Sequence, residues 1–125
     1  MNPNFIQAIH HINITIPSTM ESACREFYGG LLGFREIPRA EGLRKGGLWY
    51  LTPNLELHIS LEDAATRNNE SRRHVCYQVV NLSEMRKHLE YHGIKIEEDE
   101  QPIRTWTRFY VRDPAGNRIE FAEVQ

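Results

Sequence analysis

The chain runs twice through the same succession of elements, and this repeat limits its possible folds more than any other feature. Residues 8–16 alternate as a strand, and Thr19 to Leu32 follow with helical spacing, placing Cys24, Phe27, Tyr28 and Leu31 on one side. Ser18 stands where an N-cap is expected and Gly33 closes the helix. Three strands come next: one opening at Phe34-Arg35-Glu36-Ile37, then Leu48 to Thr52 and Leu55 to Leu61, the last two introduced by Gly46-Gly47 and Pro53-Asn54. Glu62 to Arg73 shows no periodicity and reads as a connector. The plan then repeats: strand His74 to Val80, helix Leu82 to His92 with Leu82, Met85 and Leu89 inward, Gly93, and a strand beginning Ile94-Lys95-Ile96. Strand Thr107 to Arg112, the turn Asp113-Pro114-Ala115-Gly116-Asn117 and strand Arg118 to Val124 complete it. His11 and His74 lie 63 positions apart, Gly33 and Gly93 60, and His58 and Glu120 62. The repeat rests on this order and spacing, since the two halves share little sequence. The expectation is one α+β domain over 1–125, with βαβββ modules at about 8–61 and 74–124 joined by a linker at 62–73. Each helix would cover the apolar face of its own strands, and the polar faces would curve together as a mixed sheet around a shared cavity.

What those polar faces carry suggests a function. Side chains two apart share a strand face. In His11-Ile12-Asn13-Ile14-Thr15-Ile16 the isoleucines take one face and His11 the other; Leu55 to Leu61 set Glu56, His58 and Ser60 apart from the leucines and Ile59. His74-Val75-Cys76-Tyr77 and Arg118-Ile119-Glu120-Phe121 repeat the arrangement. The repeat pairs His11 with His74 and His58 with Glu120, gathering imidazoles and a carboxylate as a metal site requires. Arg108 and Tyr110 alternate onto the polar face of their strand. His10 is expected on the apolar side, while His88 and His92 are expected in solvent. Trp49, Trp106 and Phe109 read as wall or core, and the turn at 113–117 as a structural device that aims Glu120.

Bulk properties narrow the function classes. A net charge of −2 with scattered arginines gives no electrostatic case for nucleic acid or an anionic membrane. No apolar stretch approaches the ~20 residues needed to span a bilayer. Met1-Asn2-Pro3-Asn4-Phe5 lacks the basic and apolar regions of a secretory signal. Cys24 and Cys76 have no spacing of a zinc knuckle or redox pair and are expected as thiols in a cytoplasmic protein.

Several segments together resemble the vicinal oxygen chelate superfamily, which includes glyoxalase I, bleomycin- and fosfomycin-resistance proteins and extradiol dioxygenases. They are Ile9-His10-His11-Ile12-Asn13-Ile14, Phe27-Tyr28 through Leu32-Gly33-Phe34, Leu57-His58-Ile59, His74-Val75, and Phe109 through Phe121 with its Asp-Pro-Ala-Gly-Asn turn. The resemblance implies a divalent metal ion (Fe, Mn, Ni, Co or Zn) held by His11, His74 and Glu120, with a fourth ligand from the last strand of module one. Glu56 and His58 share a face there; His58 is favoured, and the other residue would support the site. The open positions would accept a small substrate through two adjacent oxygens, with the metal stabilising negative charge on them. Glyoxalase-type lyase, isomerase or thiol-transferase chemistry follows, with a glutamate as base (Glu56 if His58 is the ligand) and Tyr110 as proton donor or oxyanion partner. The resemblance also implies a homodimer.

Two alternatives stand beside this reading. The stretch from Phe109-Tyr110 to Glu120 is similar to the end of the extradiol ring-cleavage signature, but Gln101-Pro102-Ile103 occupies the place of that signature's upstream histidine. A non-catalytic drug-binding relative would keep the fold and usually lose the ligands. Arg108 reads as a surface ion-pair residue or a clamp for a substrate anion.

Overall fold

A computed structural model describes residues 4–64 and 68–125. It divides into two compact units, Met1–Ala64 and Ala65–Gln125, which carry the same plan. In the first, β1 (His11–Ile16) leads through a helical segment to β2 (Arg35–Ile37), β3 (Leu48–Leu51) and β4 (Glu56–Leu61). The sheet order is β1-β4-β3-β2, with β1 parallel to β4 and the other neighbours antiparallel. In the second, β5 (His74–Gln78) leads through helix α2 (Leu82–Tyr91) to β6 (Glu97–Glu98), β7 (Trp106–Arg112) and β8 (Arg118–Val124), ordered β5-β8-β7-β6. Here too the first strand is parallel to the last. The expected α+β fold of paired βαβββ modules is thus present. Residues 65–67 of the expected connector lie outside the described residues, and Asn68–Glu70 form a single 3-10 turn.

The period-two alternation determines each core. Ile16, Leu48, Tyr50, Leu57 and Ile59 line the buried face of the first sheet, and Cys24, Phe27 and Tyr28 belong to the same core. Phe109, Val111, Ile119 and Phe121 do the same in the second unit, with Leu89 of α2. No helix among the described residues is long and apolar enough to cross a membrane.

Several boundaries differ from expectation. The helix expected over Thr19 to Leu32 is a 3-10 turn at Ser18–Met20, an α-helix at Glu21–Arg25 (α1) and a π-helical turn at Glu26–Leu31. Phe27 and Tyr28 are both buried, as the helical spacing indicates. Ser18 is not a cap acting through its own hydroxyl. Instead its N–H and hydroxyl donate to Asp63 Oδ1 and Oδ2 at 2.6 and 3.1 Å, and Asp63 ties the helix start to the chain beyond β4. The strand expected from Ile94 begins only at Glu97, because the Ile94 N–H is spent on the Leu89 carbonyl (3.0 Å) in the turn that ends α2 at Gly93.

Asp63 gives the unit a testable acid sensitivity. The Ser18 backbone N–H, then its hydroxyl, hold the carboxyl below its ordinary range. A lowered folded-state value means stability that is present above the unfolded-state value of about 3.9 and lost as pH falls through the lower folded one. Asp63→Asn is therefore expected to reduce stability at pH 7, with the difference from wild type shrinking as pH falls below about 3.9 and through the lower folded-state value. Urea denaturation at pH 7 and across the acid range checks this.

Candidate metal centre

In the first unit β1 and β4 run in parallel register, with His11 opposite Glu56 and Asn13 opposite His58, while β3 places Trp49 opposite His58. The His58 ring is sandwiched between His11 (centroids 4.0 Å apart, planes at 15°) and Trp49 (3.9 Å, 4°). Its Nε2 meets Glu56 Oε1 at 2.9 Å, and the side chain is almost fully buried. That hydrogen bond holds the Glu56 carboxyl below its usual range against burial, with smaller help from His10, His58 and His11. His10 is not on the apolar side: it is exposed, with Nδ1 3.0 Å from His11 Nδ1 and Nε2 3.9 Å from Glu56. Asn13, Trp49, His58 and Ser60 line a cleft on this face.

In the second unit β5, β8 and β7 place Cys76, Glu120 and Tyr110 side by side. His74 Nε2 lies 3.0 Å from Glu120 Oε1, and Glu120 is 2% exposed. His74 Nδ1 donates to the Arg72 carbonyl at 2.9 Å, which puts the proton of the neutral ring on Nδ1 and leaves a lone pair on Nε2. Nε2 is thus the ring nitrogen that faces the carboxylate, at a separation that a shared cation, a proton or a metal ion, would bridge. Two ligands about 2.1 Å from one ion and at right angles to each other are separated by about 3 Å. Glu120 Oε2 is buried with no hydrogen-bond partner, and Arg108 Nη1 lies 3.6 Å from it. The donor types, their separation and the orphaned oxygen fit a divalent metal ion.

Tyr110 is buried, with its ring edge-on to His74 (5.7 Å), the Arg118 guanidinium 3.8 Å over it and Arg108 at 5.6 Å. Burial, then the Glu120 charge, raise its phenol above the ordinary value, and the two arginines do not offset them. It is therefore a neutral donor and not a base. Burial, then the Glu120 charge and a hydrogen bond from the thiol to that carboxylate, likewise push the Cys76 thiol up to about 11, so it is no ready nucleophile.

The turn that delivers Glu120 is built as the sequence indicates. The Asp113 carboxylate accepts from Ala115 N, Asn117 N and Asn117 Nδ2 at 2.9–3.1 Å. Gly116 has φ +88°, and a Cβ there would lie 2.9 Å from Asn69 N. Arg108 is not a surface residue: 14% exposed, it donates from Nε to Asp99 Oδ2 (3.0 Å) and from Nη2 to the Gln101 carbonyl (3.1 Å). Arg118 shares the polar face of its strand with Glu120, as alternation indicates; Asp99 carries no such signal.

Among the described residues no three His, Cys, Asp or Glu side chains are arranged to hold a metal ion together. The expected donors stand as two sets: His11 with Glu56 and His58, and His74 with Glu120. The ladders relate the sets, because His58 opposes Asn13 and Trp49 in one unit as Glu120 opposes Cys76 and Tyr110 in the other.

The same architecture recurs in known proteins. The family model for the glyoxalase/bleomycin resistance protein/dioxygenase superfamily matches residues 8–121. This chain belongs to that superfamily. A glyoxalase family protein from Bacillus anthracis is 38% identical, with a TM-score of 0.89 covering 99% of this chain and 100% of that one. Glyoxylase I 4 of Arabidopsis thaliana is 27% identical over 95% of this chain and 72% of its own length. The fosfomycin resistance protein FosX of Listeria monocytogenes, solved with Mn(II) and sulfate, shares the fold at 13% identity, with a TM-score of 0.77 over 97% of this chain and 93% of its own.

Proposed function

We propose that this superfamily member is a divalent-metal-dependent enzyme of glyoxalase type, acting on a small substrate that chelates the metal through vicinal oxygens. Its candidate ligands are His74 and Glu120 in the second unit and His11 and His58 in the first. The observation that carries the reading is the His74 Nε2–Glu120 Oε1 pair, facing at ligand separation beside an orphaned carboxylate oxygen. A bound ion would supply Lewis-acid stabilisation of charge on the substrate oxygens. The chain's own residues supply the rest. Glu56, kept ionised by the His58 hydrogen bond, accepts a proton from the substrate carbon. Tyr110, kept neutral, donates a hydrogen bond to a substrate oxygen. Trp49 covers one face of His58.

A cytoplasmic homodimer completes the reading. Both cysteines are free thiols, and Phe5, Ile6 and Ile9 expose apolar surface.

A screen of Mn-, Ni-, Co-, Zn- and Fe-reconstituted protein against methylglyoxal–thiol adducts, fosfomycin with thiols, and catechols under oxygen tests the reaction class. Turnover of the first two groups supports the proposal. Oxygen uptake with catechols alone replaces it by ring cleavage, and ligand binding unaffected by chelator replaces it by sequestration.

The two candidates for the fourth ligand separate by different losses. His58→Ala is expected to weaken metal binding about 100-fold. Glu56→Gln is expected to retain the metal and lower kcat at least about 100-fold. Calorimetric titration with metal and steady-state kinetics check this; the reverse pattern exchanges the two roles.

A further inference from the structure

The guanidinium of Arg108 stands at an unusual distance from Glu120. At 3.6 Å its Nη1 is near enough to neutralise the buried carboxylate and too far to take up the Oε2 lone pairs. A carboxylate as buried as Glu120 without a counter-charge would be strongly destabilising. A guanidinium bound to it at full hydrogen-bond contact would occupy the oxygen that a metal needs. Something must therefore hold Arg108 at the intermediate position. Its Nε is bound to Asp99 Oδ2 at 3.0 Å and its Nη2 to the Gln101 carbonyl at 3.1 Å. Asp99 is itself fixed, because its Oδ1 accepts the Gln101 N–H at 3.0 Å. Both side chains are largely buried, so water does little to screen the pair.

We infer that Asp99 is a positioning residue that holds Arg108 off Glu120, leaving the second carboxylate oxygen open to the metal while the charge stays compensated in the metal-free protein. The inference rests on the reading of Glu120 as a metal ligand. It assigns opposite effects to two residues that touch each other. Without the Asp99 charge, Arg108 closes on Glu120 and competes with the ion. Without the Arg108 charge, the repulsion between guanidinium and metal disappears.

The test is calorimetric titration of metal-free protein with Mn2+, Ni2+ and Zn2+ in parallel, with circular dichroism to confirm folding. Asp99→Asn is expected to weaken binding about tenfold. Arg108→Gln is expected to tighten it severalfold. The double variant is expected to behave as Arg108→Gln, since Asp99 acts only through Arg108. Weaker binding in both single variants, the result for residues that merely support the fold, overturns the inference, as does no change in either. If Asp99→Asn does not fold, the sign of the Arg108→Gln effect decides. Wild-type protein that binds none of the three ions overturns the metal-ligand reading of Glu120 and this inference with it.

Discussion

Glu120→Gln is expected to abolish divalent-metal binding while leaving the fold in place. The substitution preserves shape and removes the charge that the ion would meet. Structural zinc sites bind with roughly 10–16 kcal/mol in total, so one ligand in a set of four would account for about 2.5–4 kcal/mol, or roughly 60- to 700-fold in affinity. Folding is spared for reasons visible at the site. Arg108 keeps its bonds to Asp99 and Gln101, and the amide introduced by the substitution remains within reach of His74. Metal-free wild type and variant should therefore differ by no more than about 1 kcal/mol in stability. Metal titration and urea denaturation of the same preparations measure the two effects separately.

Phe121→Ala, one residue further on, is expected to do the reverse. Phe121 is 1% exposed on the apolar face of β8, with Phe109 at 5.8 Å and Tyr77 at 6.0 Å between ring centroids. Truncation leaves a cavity the size of a phenyl ring and costs about 3–5 kcal/mol. Since a domain of this size is stable by only about 5–15 kcal/mol, the urea midpoint should fall steeply. Metal affinity of the fraction still folded should change little, because the ring and the carboxylate lie on opposite faces of one strand. A stability loss of less than about 1 kcal/mol would mean that the ring is not the core element this packing implies.

Those adjacent residues also show what the sequence could reveal. Alternation assigns Glu120 and Phe121 to opposite faces with no structure at hand, and the matched spacings of His11 with His74 and Gly33 with Gly93 expose the repeat. The turn at Asp113 to Asn117 was legible because each of its bonds is local. What escaped depends on side chains distant in sequence. That Ser18 would find Asp63, or Arg108 find Asp99 and approach Glu120, follows from ladder register and rotamer choice, which no local pattern encodes. Glu56 and His58 share a strand face, and in the sequence only the spacing to Glu120 and the family resemblance favour His58. Register separates them, placing His58 and not Glu56 at the position that Glu120 holds in the second unit. The π turn at Glu26–Leu31 was hidden because Cys24, Phe27, Tyr28 and Leu31 satisfy an ordinary helical pattern as well.

The central claim is that this chain holds a divalent ion through His74 and Glu120. Its most direct test is the metal content per chain, by elemental mass spectrometry, of protein loaded with excess metal and then desalted. The account predicts close to one ion per chain in wild type and close to none in His74→Ala and Glu120→Gln. Wild type without a stoichiometric ion, or both variants retaining one, would contradict it.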